Sequence, residues 1–313
     1  MRVLFCDTSF APGREALERL LPDDEVRCCP RAEIARHIPE ADVAVPLMSR
    51  LDADLIARGV RLRLIQQFGV GLEGVDLAAA RSRGIPVANV PSSETGNSVS
   101  VAEWVVFLML ALARRHPEAV EAFRARKLGE PVGTVLYGKR AAVIGVGNLG
   151  TAIAERLRAL GVEVWGIRRR PGAERPAGLA FLGGPEDLPE VLGAADFVIL
   201  AVPLTPLTEG LIGRREIERM KPGAYLINVG RGPVVDYDAL VEGLQEGRIA
   251  GAGLDVFWSE PPDPDDPLFR YNVIPSPHIG GATDYSFGQI ARAVADNIER
   301  LRQGRPLRNL AGG

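Results

Sequence analysis

The chain contains only three histidines, and we expect one of them, His278, to lie close to an acidic and a basic side chain. His278 lies in the loop-forming segment PHIGGAT, directly after an apolar stretch. Glu260 and Arg231 follow two other apolar stretches, in the segments WSEPP and NVGRG. Because the carboxyl ends of parallel strands meet at one edge of a sheet, we expect these three side chains to converge there.

The three residue types suit the delivery of a proton to a carbonyl group that is being reduced. A protonated imidazole is the natural proton donor near neutral pH. A carboxylate bonded to that imidazole, here Glu260, would favour the charged form and orient the ring. The guanidinium of Arg231 could hold an anionic substrate and polarise its carbonyl group.

The remaining histidines and the cysteines do not indicate a metal site. His37 and His116 lie next to helix ends and prolines, and we expect both on the surface. The only cysteines are Cys6, Cys28 and Cys29, and their spacing predicts neither a disulfide framework nor a zinc site.

Of two GxGxxG motifs, the one at 145–150 has the context of a dinucleotide-binding turn. An apolar strand candidate precedes it, and the helical segment 149–160 follows. In this interpretation Gly145 permits the tight turn and Gly147 lets the backbone approach a pyrophosphate. Gly150 lets the helix pack closely on the strand.

The other motif, at 69–74, lacks that context. The strand before it ends in QQF, and no ribose-binding residue follows at the proper distance. We expect it to bind something smaller through bare backbone N–H groups.

Basic residues stand at the position that would contact the cofactor ribose. The strand after the 145–150 motif ends in IRRRP, which places Arg168, Arg169 and Arg170 there. An acidic residue would bind the ribose hydroxyls and repel a 2′-phosphate, whereas arginines attract that phosphate. The sequence therefore favours NADP(H) as the cofactor, with NAD(H) as the alternative.

Short apolar runs alternate with helical segments along the chain, which predicts doubly wound α/β architecture. The runs are apolar nearly throughout, as in a parallel sheet covered on both faces. Strand candidates in the first part are Arg2–Cys6, Glu25–Cys29, Ala41–Leu47, Leu62–Gln67 and Pro86–Val90. Six more, the number in a full dinucleotide-binding domain, are Arg140–Gly145, Val162–Ile167, Asp196–Ala201, Ala224–Asn228, Gly251–Val256 and Val273–Ser276.

Two longer helices complete the pattern. One runs from about Ser98 to Arg126, is interrupted near Pro117, and has an apolar middle, Trp104–Ala113, suited to the core or to a subunit contact. The other is the terminal segment Ser286–Arg302, whose apolar residues share one face.

Length and charge narrow the class of protein. The chain has 313 residues, which suggests two domains, and 46% of its side chains are hydrophobic. The net charge of −3 gives no reason to expect nucleic acid or membrane surfaces as partners. The longest apolar stretch is about half of a membrane span, and no secretory signal is evident, so we expect a cytoplasmic protein.

Five motifs together resemble the D-isomer-specific 2-hydroxyacid dehydrogenases. They are VIGVGNLG at 143–150, INVGRGPVVD at 227–236, GAGLDVF at 251–257, the SEPP-to-PL segment at 259–268 and PHIGGAT at 277–283. The segment NSVSVAE at 97–103 also resembles the start of that family's first cofactor-domain helix. The resemblance covers nearly the whole chain.

The resemblance implies two doubly wound parallel-sheet domains. A Rossmann cofactor domain, residues 98–283, would be inserted into a flavodoxin-like substrate domain, residues 1–97 and 284–313. Family members are commonly dimers through the cofactor domain, so a homodimer is expected.

The resemblance also assigns roles to residues. Arg231, Glu260 and His278 would be the catalytic trio, and Asp255 would contact the nicotinamide side. Val70 and Gly71 would bind the substrate carboxylate through backbone amides, together with Arg231 and His278. The cofactor residues would be Gly145, Gly147, Asn148, Leu149, Gly150, Arg168, Arg169, Val202, Pro203, Thr208, Asn228, Val229, Asp255 and Gly280.

The implied activity is hydride transfer between NAD(P)H and a small 2-keto acid, of the glyoxylate or hydroxypyruvate type, with His278 as general acid/base. One alternative is an enzyme like D-3-phosphoglycerate dehydrogenase, and another is a catalytically silent NAD(P)-sensing protein. Formate oxidation is disfavoured, because that branch has an amide where this chain has Glu260. Arg50 is close enough to the expected pocket to bind a second anionic group if it points inward.

Overall fold

The structure is a computed structural model that describes residues 1–172 and 174–311. The chain forms two compact units. Unit 1 comprises Met1–Asn97 and Ala282–Gly313, and unit 2 comprises Ser98–Gly281. The sequence predicts the second crossing between residues 283 and 284, and the two units divide two residues earlier, after Gly281. Thr283 serves as the N-cap of the terminal helix.

Unit 1 is built on a five-stranded parallel sheet with the strand order 2-1-3-4-5, as in flavodoxin. Its strands are β1 (Arg2–Phe5), β2 (Glu25–Cys28), β3 (Val43–Val45), β4 (Leu64–Gln66) and β5 (Val87–Ala88). Its first helices are α1 (Ala11–Leu20), α2 (Ile34–His37), α3 (Ala53–Arg58) and α4 (Leu77–Ser82). The sheet buries apolar side chains on both faces, which explains why strands such as β3 read as continuous apolar runs.

Unit 2 is built on a seven-stranded parallel sheet. Its strands are β6 (Arg140–Ile144), β7 (Glu163–Ile167), β8 (Phe181–Gly183), β9 (Phe197–Leu200), β10 (Ala224–Asn228), β11 (Ile249–Leu254) and β12 (Val273–Pro275). Its helices are α5 (Asn97–Ala113), α6 (His116–Arg124), α7 (Asn148–Ala159), α8 (Leu188–Ala194), α9 (Arg214–Arg219) and α10 (Tyr237–Gln245). The order β8-β7-β6-β9-β10-β11-β12 is the Rossmann order with one strand added at the β12 edge.

The prediction of six strands in this sheet is wrong by one. β8 pairs with β7 in parallel, with Trp165 opposite Phe181, and forms the sheet edge beyond β7. It has only three residues, FLG, and a stretch rich in arginine, proline and glycine precedes it. So short a run carries no periodicity that sequence reasoning can detect.

The long helical segment breaks earlier than its proline suggests. α5 ends at Ala113, and Arg115 adopts a left-handed conformation with φ of 52°. Pro117 lies in the first turn of α6, where a missing N–H group leaves no helical bond unmade. The turn is therefore made by residues 114–115, and the proline only begins the next helix.

The terminal helix α11 (Asp284–Arg302) belongs to unit 1. Its buried face includes Ile290, Val294 and Ile298, which pack in one apolar cluster with Phe5 of β1 and Leu17 of α1. The predicted terminal helix, Ser286–Arg302, is confirmed, with two more residues at its start.

We find no single helix among the described residues with the length and apolar character needed to cross a membrane. The bent pair α5 and α6 meets that criterion only when the two helices are taken together, across a bend of 57°.

Candidate active site

His278 and Glu260 form a hydrogen-bonded pair in unit 2. Nδ1 of the imidazole lies 2.9 Å from Oε2 of the carboxylate. The other carboxylate oxygen, Oε1, accepts a hydrogen bond of 3.1 Å from the backbone N–H of Phe257. The side chains are 25% and 15% exposed, so the pair is accessible but largely removed from water. The carboxylate is thus fixed by the backbone and in turn orients the ring.

Arg231 is brought to this pair by a close approach of two loops. It follows β10, and Asn228 at the end of that strand bonds both the N–H of Gly230 and the carbonyl of Arg231. An added Cβ on Gly232 would lie only 2.1 Å from the carbonyl carbon of Phe257, so the two loops pack backbone to backbone. The charge of Arg231 consequently acts on the carboxylate of Glu260.

Glu260 is held in its ionised form. Burial alone would raise the pKa of the Glu260 carboxyl, but the hydrogen bond and charge of His278 oppose it. The Phe257 N–H bond and the Arg231 charge act in the same direction, and the net result is a lowered pKa. Near neutral pH a negative charge therefore lies next to the imidazole.

The backbone around His278 is anchored by a second carboxylate, Asp255. Its two oxygens accept hydrogen bonds of 2.9 Å from the N–H groups of Ile279 and Gly280, the two residues after His278. His278 itself has φ of 55°, a conformation uncommon for a residue with a side chain, and its N–H donates to the carbonyl of Asp255. Asp255 therefore holds the loop in the shape that presents the imidazole.

Two further side chains support Asp255. The hydroxyl of Ser276 donates to Oδ1 of Asp255 at 2.7 Å, and the indole N–H of Trp104 donates to that hydroxyl at 2.9 Å. Burial raises the pKa of Asp255, and the hydrogen bonds from Ser276, Gly280 and Ile279 oppose the shift only in part. Sequence reasoning missed Ser276 and Trp104, because no spacing pattern links a residue of α5 to one 172 positions later.

The 145–150 motif forms a tight turn between β6 and α7. Gly145 has φ of 104°, and Gly150 approaches so closely that an added Cβ would lie 2.3 Å from the carbonyl oxygen of Gly145. Gly147, the N-cap of α7, would meet nothing within 4 Å among the described residues. Intramolecular packing thus explains two of the glycines, and the third leaves the backbone open to a ligand. A pyrophosphate at the N-terminus of a twelve-residue helix fits this cradle.

Arg168 lies beside that turn. It directly follows β7, whose last residue, Ile167, accepts hydrogen bonds from the N–H groups of Gly145 and Val146. The backbone N–H of Arg168 donates to the carbonyl of Gly183 on β8, and the Nε of Arg168 donates to the carbonyl of Arg170 at 3.0 Å. Arg169 is exposed. An arginine therefore directly follows the second strand of the glycine-turn unit, at the sequence position where NAD-binding folds carry an acidic residue.

The other predicted cofactor residues also lie in unit 2 at strand ends or in adjacent turns. Thr208 closes a turn after β9, since its hydroxyl donates to the carbonyl of Pro203 and accepts from the N–H of Thr205. Val202 packs against Gly145. The remaining members of the set are Asn148 and Leu149 at the start of α7, Asn228 and Val229 at the end of β10, and Gly280 beside Asp255.

Val70 and Gly71, the predicted substrate residues of unit 1, lie in the loop after β4. The loop is about half exposed, and hydrogen bonds hold its carbonyl groups.

The other candidate residues lie apart from this loop in the sequence. Arg50, in the segment between β3 and α3, is exposed. His116 is also exposed, as expected, whereas His37 is partly buried beside Glu33. Among the described residues no cluster of His, Cys, Asp or Glu is arranged to hold a metal ion.

The comparison with protein families identifies the chain's class. The family model for the NAD binding domain of D-isomer specific 2-hydroxyacid dehydrogenases matches residues 106–280, more than half of the chain. The chain belongs to this family.

Two curated relatives are similar over most of the chain. D-3-phosphoglycerate dehydrogenase of Archaeoglobus fulgidus is 36% identical over 285 residues, which cover 89% of this chain but 53% of that protein. This chain thus spans about half the length of that relative. Glyoxylate reductase of Thermococcus gammatolerans is 37% identical over 292 residues, covering 90% of this chain and 85% of that protein.

A solved structure matches both units. It is the NADPH-dependent glyoxylate/hydroxypyruvate reductase from Sinorhizobium meliloti in complex with NADP and malonate. The two structures superpose with a TM-score of 0.85 at 32% sequence identity. The match covers 99% of this chain and 96% of that one. The predicted family and the predicted pair of parallel-sheet domains are confirmed, as is the enzyme class, an NAD(P)-dependent D-2-hydroxyacid dehydrogenase. A nicotinamide cofactor is supported as well.

Proposed function

We propose that the protein reduces a small 2-keto acid of the glyoxylate or hydroxypyruvate type to the D-2-hydroxy acid, with NADPH as the favoured reductant. The observation that carries the proposal is the 2.9 Å bond between Nδ1 of His278 and the ionised carboxylate of Glu260. The similarity to glyoxylate reductases supports the substrate class.

In the proposed reaction His278 is the general acid. A bound nicotinamide cofactor supplies the hydride to C2 of the keto acid. Because Nδ1 is bonded to Glu260, the proton passes from Nε2 of His278 to the oxygen of the former carbonyl. Glu260 offsets the positive charge of the imidazolium before the transfer and holds the ring in one orientation. In the oxidation direction the same nitrogen accepts the proton.

Arg231 and the unit 1 loop bind the anionic substrate in this proposal. The guanidinium of Arg231 offers forked donors to a carboxylate or a polarised carbonyl oxygen. The backbone amides of Val70 and Gly71 bind the substrate carboxylate without adding a charge. Asp255 secures the His278 loop through its bond from the Gly280 N–H. In this proposal it contacts the nicotinamide side of the cofactor.

The glycine turn and the arginines after β7 support the cofactor assignment. Gly145, Gly147 and Gly150 with the N-terminus of α7 suit the pyrophosphate. Arg168 and Arg169 suit the 2′-phosphate of NADP(H), because a guanidinium binds phosphate through charge-assisted bonds. NAD(H) is the alternative.

We also propose a homodimer formed through unit 2. Five large apolar side chains, one near the end of α6 and four between α6 and β6, are strongly exposed: Phe123, Leu128, Val132, Val135 and Tyr137. So many exposed apolar groups in one stretch are typical of an association surface. Light scattering should report a dimer, and a double substitution, Leu128→Glu with Val132→Glu, should give a monomer. A monomeric wild-type protein would contradict this part of the proposal.

The cysteines support a cytoplasmic location. All three carry free thiols, and Cys28 is exposed. Free thiols are typical of a reducing compartment. Cell fractionation with an antibody to the protein tests this assignment.

The experiment that tests the function is a substrate panel. NADPH oxidation is followed with glyoxylate, hydroxypyruvate and phosphohydroxypyruvate, and then with NADH in place of NADPH. We expect turnover with glyoxylate or hydroxypyruvate. Preference for phosphohydroxypyruvate would favour the phosphoglycerate dehydrogenase alternative, for which the Archaeoglobus relative is the specific support. Tight NADPH binding with no turnover would favour the sensing alternative.

A further inference from the structure

Every carbonyl group in the loop 69–71 is held by a hydrogen-bond donor. The carbonyl of Gly69 accepts from the backbone N–H of Val90 at 2.8 Å. The carbonyl of Val70 accepts from Nδ2 of Asn89 at 2.8 Å, and that of Gly71 accepts from Nε2 of Gln67 at 2.7 Å. Three consecutive peptide groups are therefore fixed in orientation by donors from the residue directly after β4 and from the segment after β5.

This arrangement determines where the amide hydrogens point. In a trans peptide the N–H and C=O bonds point in opposite directions. The bond to the Gly69 carbonyl therefore fixes the Val70 N–H, and the bond from Asn89 to the Val70 carbonyl fixes the Gly71 N–H. Within residues 1–172 and 174–311, neither of these two N–H groups donates to a protein acceptor. Successive backbone amides left open in this way suit an anion.

Gln67 is a fully bonded side chain. It is 9% exposed, and its Nε2 donates to the carbonyls of Leu47 and Gly71, at 2.9 and 2.7 Å. Its Oε1 accepts from the N–H groups of Leu47 and Phe68, at 3.1 and 3.0 Å. Rotating this amide by half a turn would place donors against donors and acceptors against acceptors, so its orientation is unique. Gln67 thereby ties the loop after β4 to Leu47, which has φ of 55°.

Asn89 is held from the other side by the C-terminal segment. Its backbone N–H donates to the carbonyl of Asn309 at 3.1 Å, next to an antiparallel bridge between Ala88 and Leu310. Its side chain is half-buried. The donor that reaches Val70 thus stands on a segment paired on both edges, by β4 and by the C-terminal segment.

We propose that Asn89 and Gln67 are positioning residues, whose side-chain amides hold the 69–71 carbonyls so that the Val70 and Gly71 N–H groups meet the substrate carboxylate. The inference rests on the proposed function of those two amides. A loop ordered before binding spares the substrate the entropy cost of ordering it. The effect falls on the affinity for the carboxylate and not on the cofactor, whose proposed residues all lie in unit 2.

The test compares Asn89→Ala, Asn89→Asp and Gln67→Met with a matched control. Asn89→Asp keeps the shape of the side chain and replaces its donor with an acceptor, so a merely steric role would survive it. The control is Gln66→Met, because Gln66, the last residue of β4, is also a buried glutamine. Its side chain bonds Asn297 and the carbonyls of Gln67 and Ala88, but none of the 69–71 carbonyls. The measurements are KM and kcat for glyoxylate, the Kd of NADPH, and the Kd of oxalate by calorimetry in the presence of NADPH.

We expect KM for glyoxylate and Kd for oxalate to rise about 10-fold or more in the three variants, the size typical of losing a hydrogen bond that serves a charged group. Asn89→Asp should be at least as impaired as Asn89→Ala. The kcat and the Kd of NADPH should stay within about twofold of wild type, as expected for loss of uniform substrate binding. Gln66→Met should retain the wild-type KM.

The outcomes separate this inference from the function on which it rests. Both Asn89 variants retaining the wild-type KM and oxalate Kd would overturn it, and so would an equal loss in Gln66→Met. If the wild-type protein reduces no keto acid, the proposed function fails, and oxalate binding then decides alone. Weaker oxalate binding in the Asn89 variants than in Gln66→Met would uphold the positioning role. Absence of oxalate binding to the wild type would overturn it.

Discussion

The Nδ1 atom of His278 lies 2.9 Å from Oε2 of Glu260, and the other oxygen of that carboxylate is bonded to the backbone N–H of Phe257. The carboxylate is therefore anchored to the chain and cannot follow the ring if the ring turns. In the proposed reaction this relationship leaves Nε2 to exchange the proton with the substrate, because Nδ1 is bonded to Glu260. The proposal therefore makes the charge on Glu260 part of the proton-transfer chemistry.

Replacing Glu260 with glutamine should move the pH dependence of reduction. The pKa of the Glu260 carboxyl is lowered from its ordinary value of 4.5, so the carboxylate is charged at the near-neutral pH of the assay. That charge stabilises the protonated imidazole, and the amide in Glu260→Gln does not. The alkaline decline of kcat should therefore shift to lower pH in the variant. A pH–rate profile with glyoxylate checks this, and an unchanged alkaline limb would count against the role of Glu260.

Replacing Arg168 with alanine should alter the choice between the two nicotinamide cofactors. In the proposed site its guanidinium binds the 2′-phosphate, which NADH lacks. We expect KM for NADPH to rise by about 10-fold or more, from the loss of a charge-assisted bond, with KM for NADH nearly unchanged. Arg215→Ala, an exposed arginine of α9, is the control and should leave both values unchanged. Equal losses with both cofactors would contradict the assignment.

Replacing Ser276 with alanine should make the stability of unit 2 more dependent on pH. The Ser276 hydroxyl lowers the pKa of the buried Asp255 carboxyl, so its loss raises that pKa further. A carboxyl with a raised folded-state pKa stabilises the fold most when it is protonated. The variant should therefore lose stability relative to wild type as pH rises, by about 1–3 kcal/mol once the carboxyl is ionised.

Urea unfolding at several pH values checks this prediction, with Ser82→Ala, an exposed serine of unit 1, as the control. Trp104→Phe is a milder version, because it keeps the stacking on Phe107 and removes only the indole donor. A destabilisation of Ser276→Ala that stays constant with pH would show that the hydroxyl does not act through Asp255.

Much of the fold is predictable from the sequence because parallel strands buried on both faces read as short apolar runs. Strands such as β6, β9 and β10 stand out for this reason. β8 escapes detection, since three residues at a sheet edge give no such run. The break after α5 can be predicted only to within a few residues, because a proline in the first turn of a helix resembles a proline that interrupts one.

The candidate site is only partly readable in the same way. His278, Glu260 and Arg231 can be found because each follows an apolar run and has a chemically informative type. The residues that support the site, Trp104 and Ser276, cannot be found from the sequence. They come into contact only because the chain folds α5 against the segment that follows β12. Gln67 is a similar case, since a glutamine at the end of a strand gives no sign of which loops it will join.

The most direct test of the central claim is the effect of His278→Ala on turnover with saturating NADPH and glyoxylate. Loss of general acid catalysis typically costs about 10²–10⁴ in rate, so kcat should fall by at least about 100-fold while the Kd of NADPH is unchanged. His116→Ala, an exposed histidine of the same unit, serves as the control and should keep wild-type turnover. A His278→Ala enzyme with kcat within a few-fold of wild type would contradict the account.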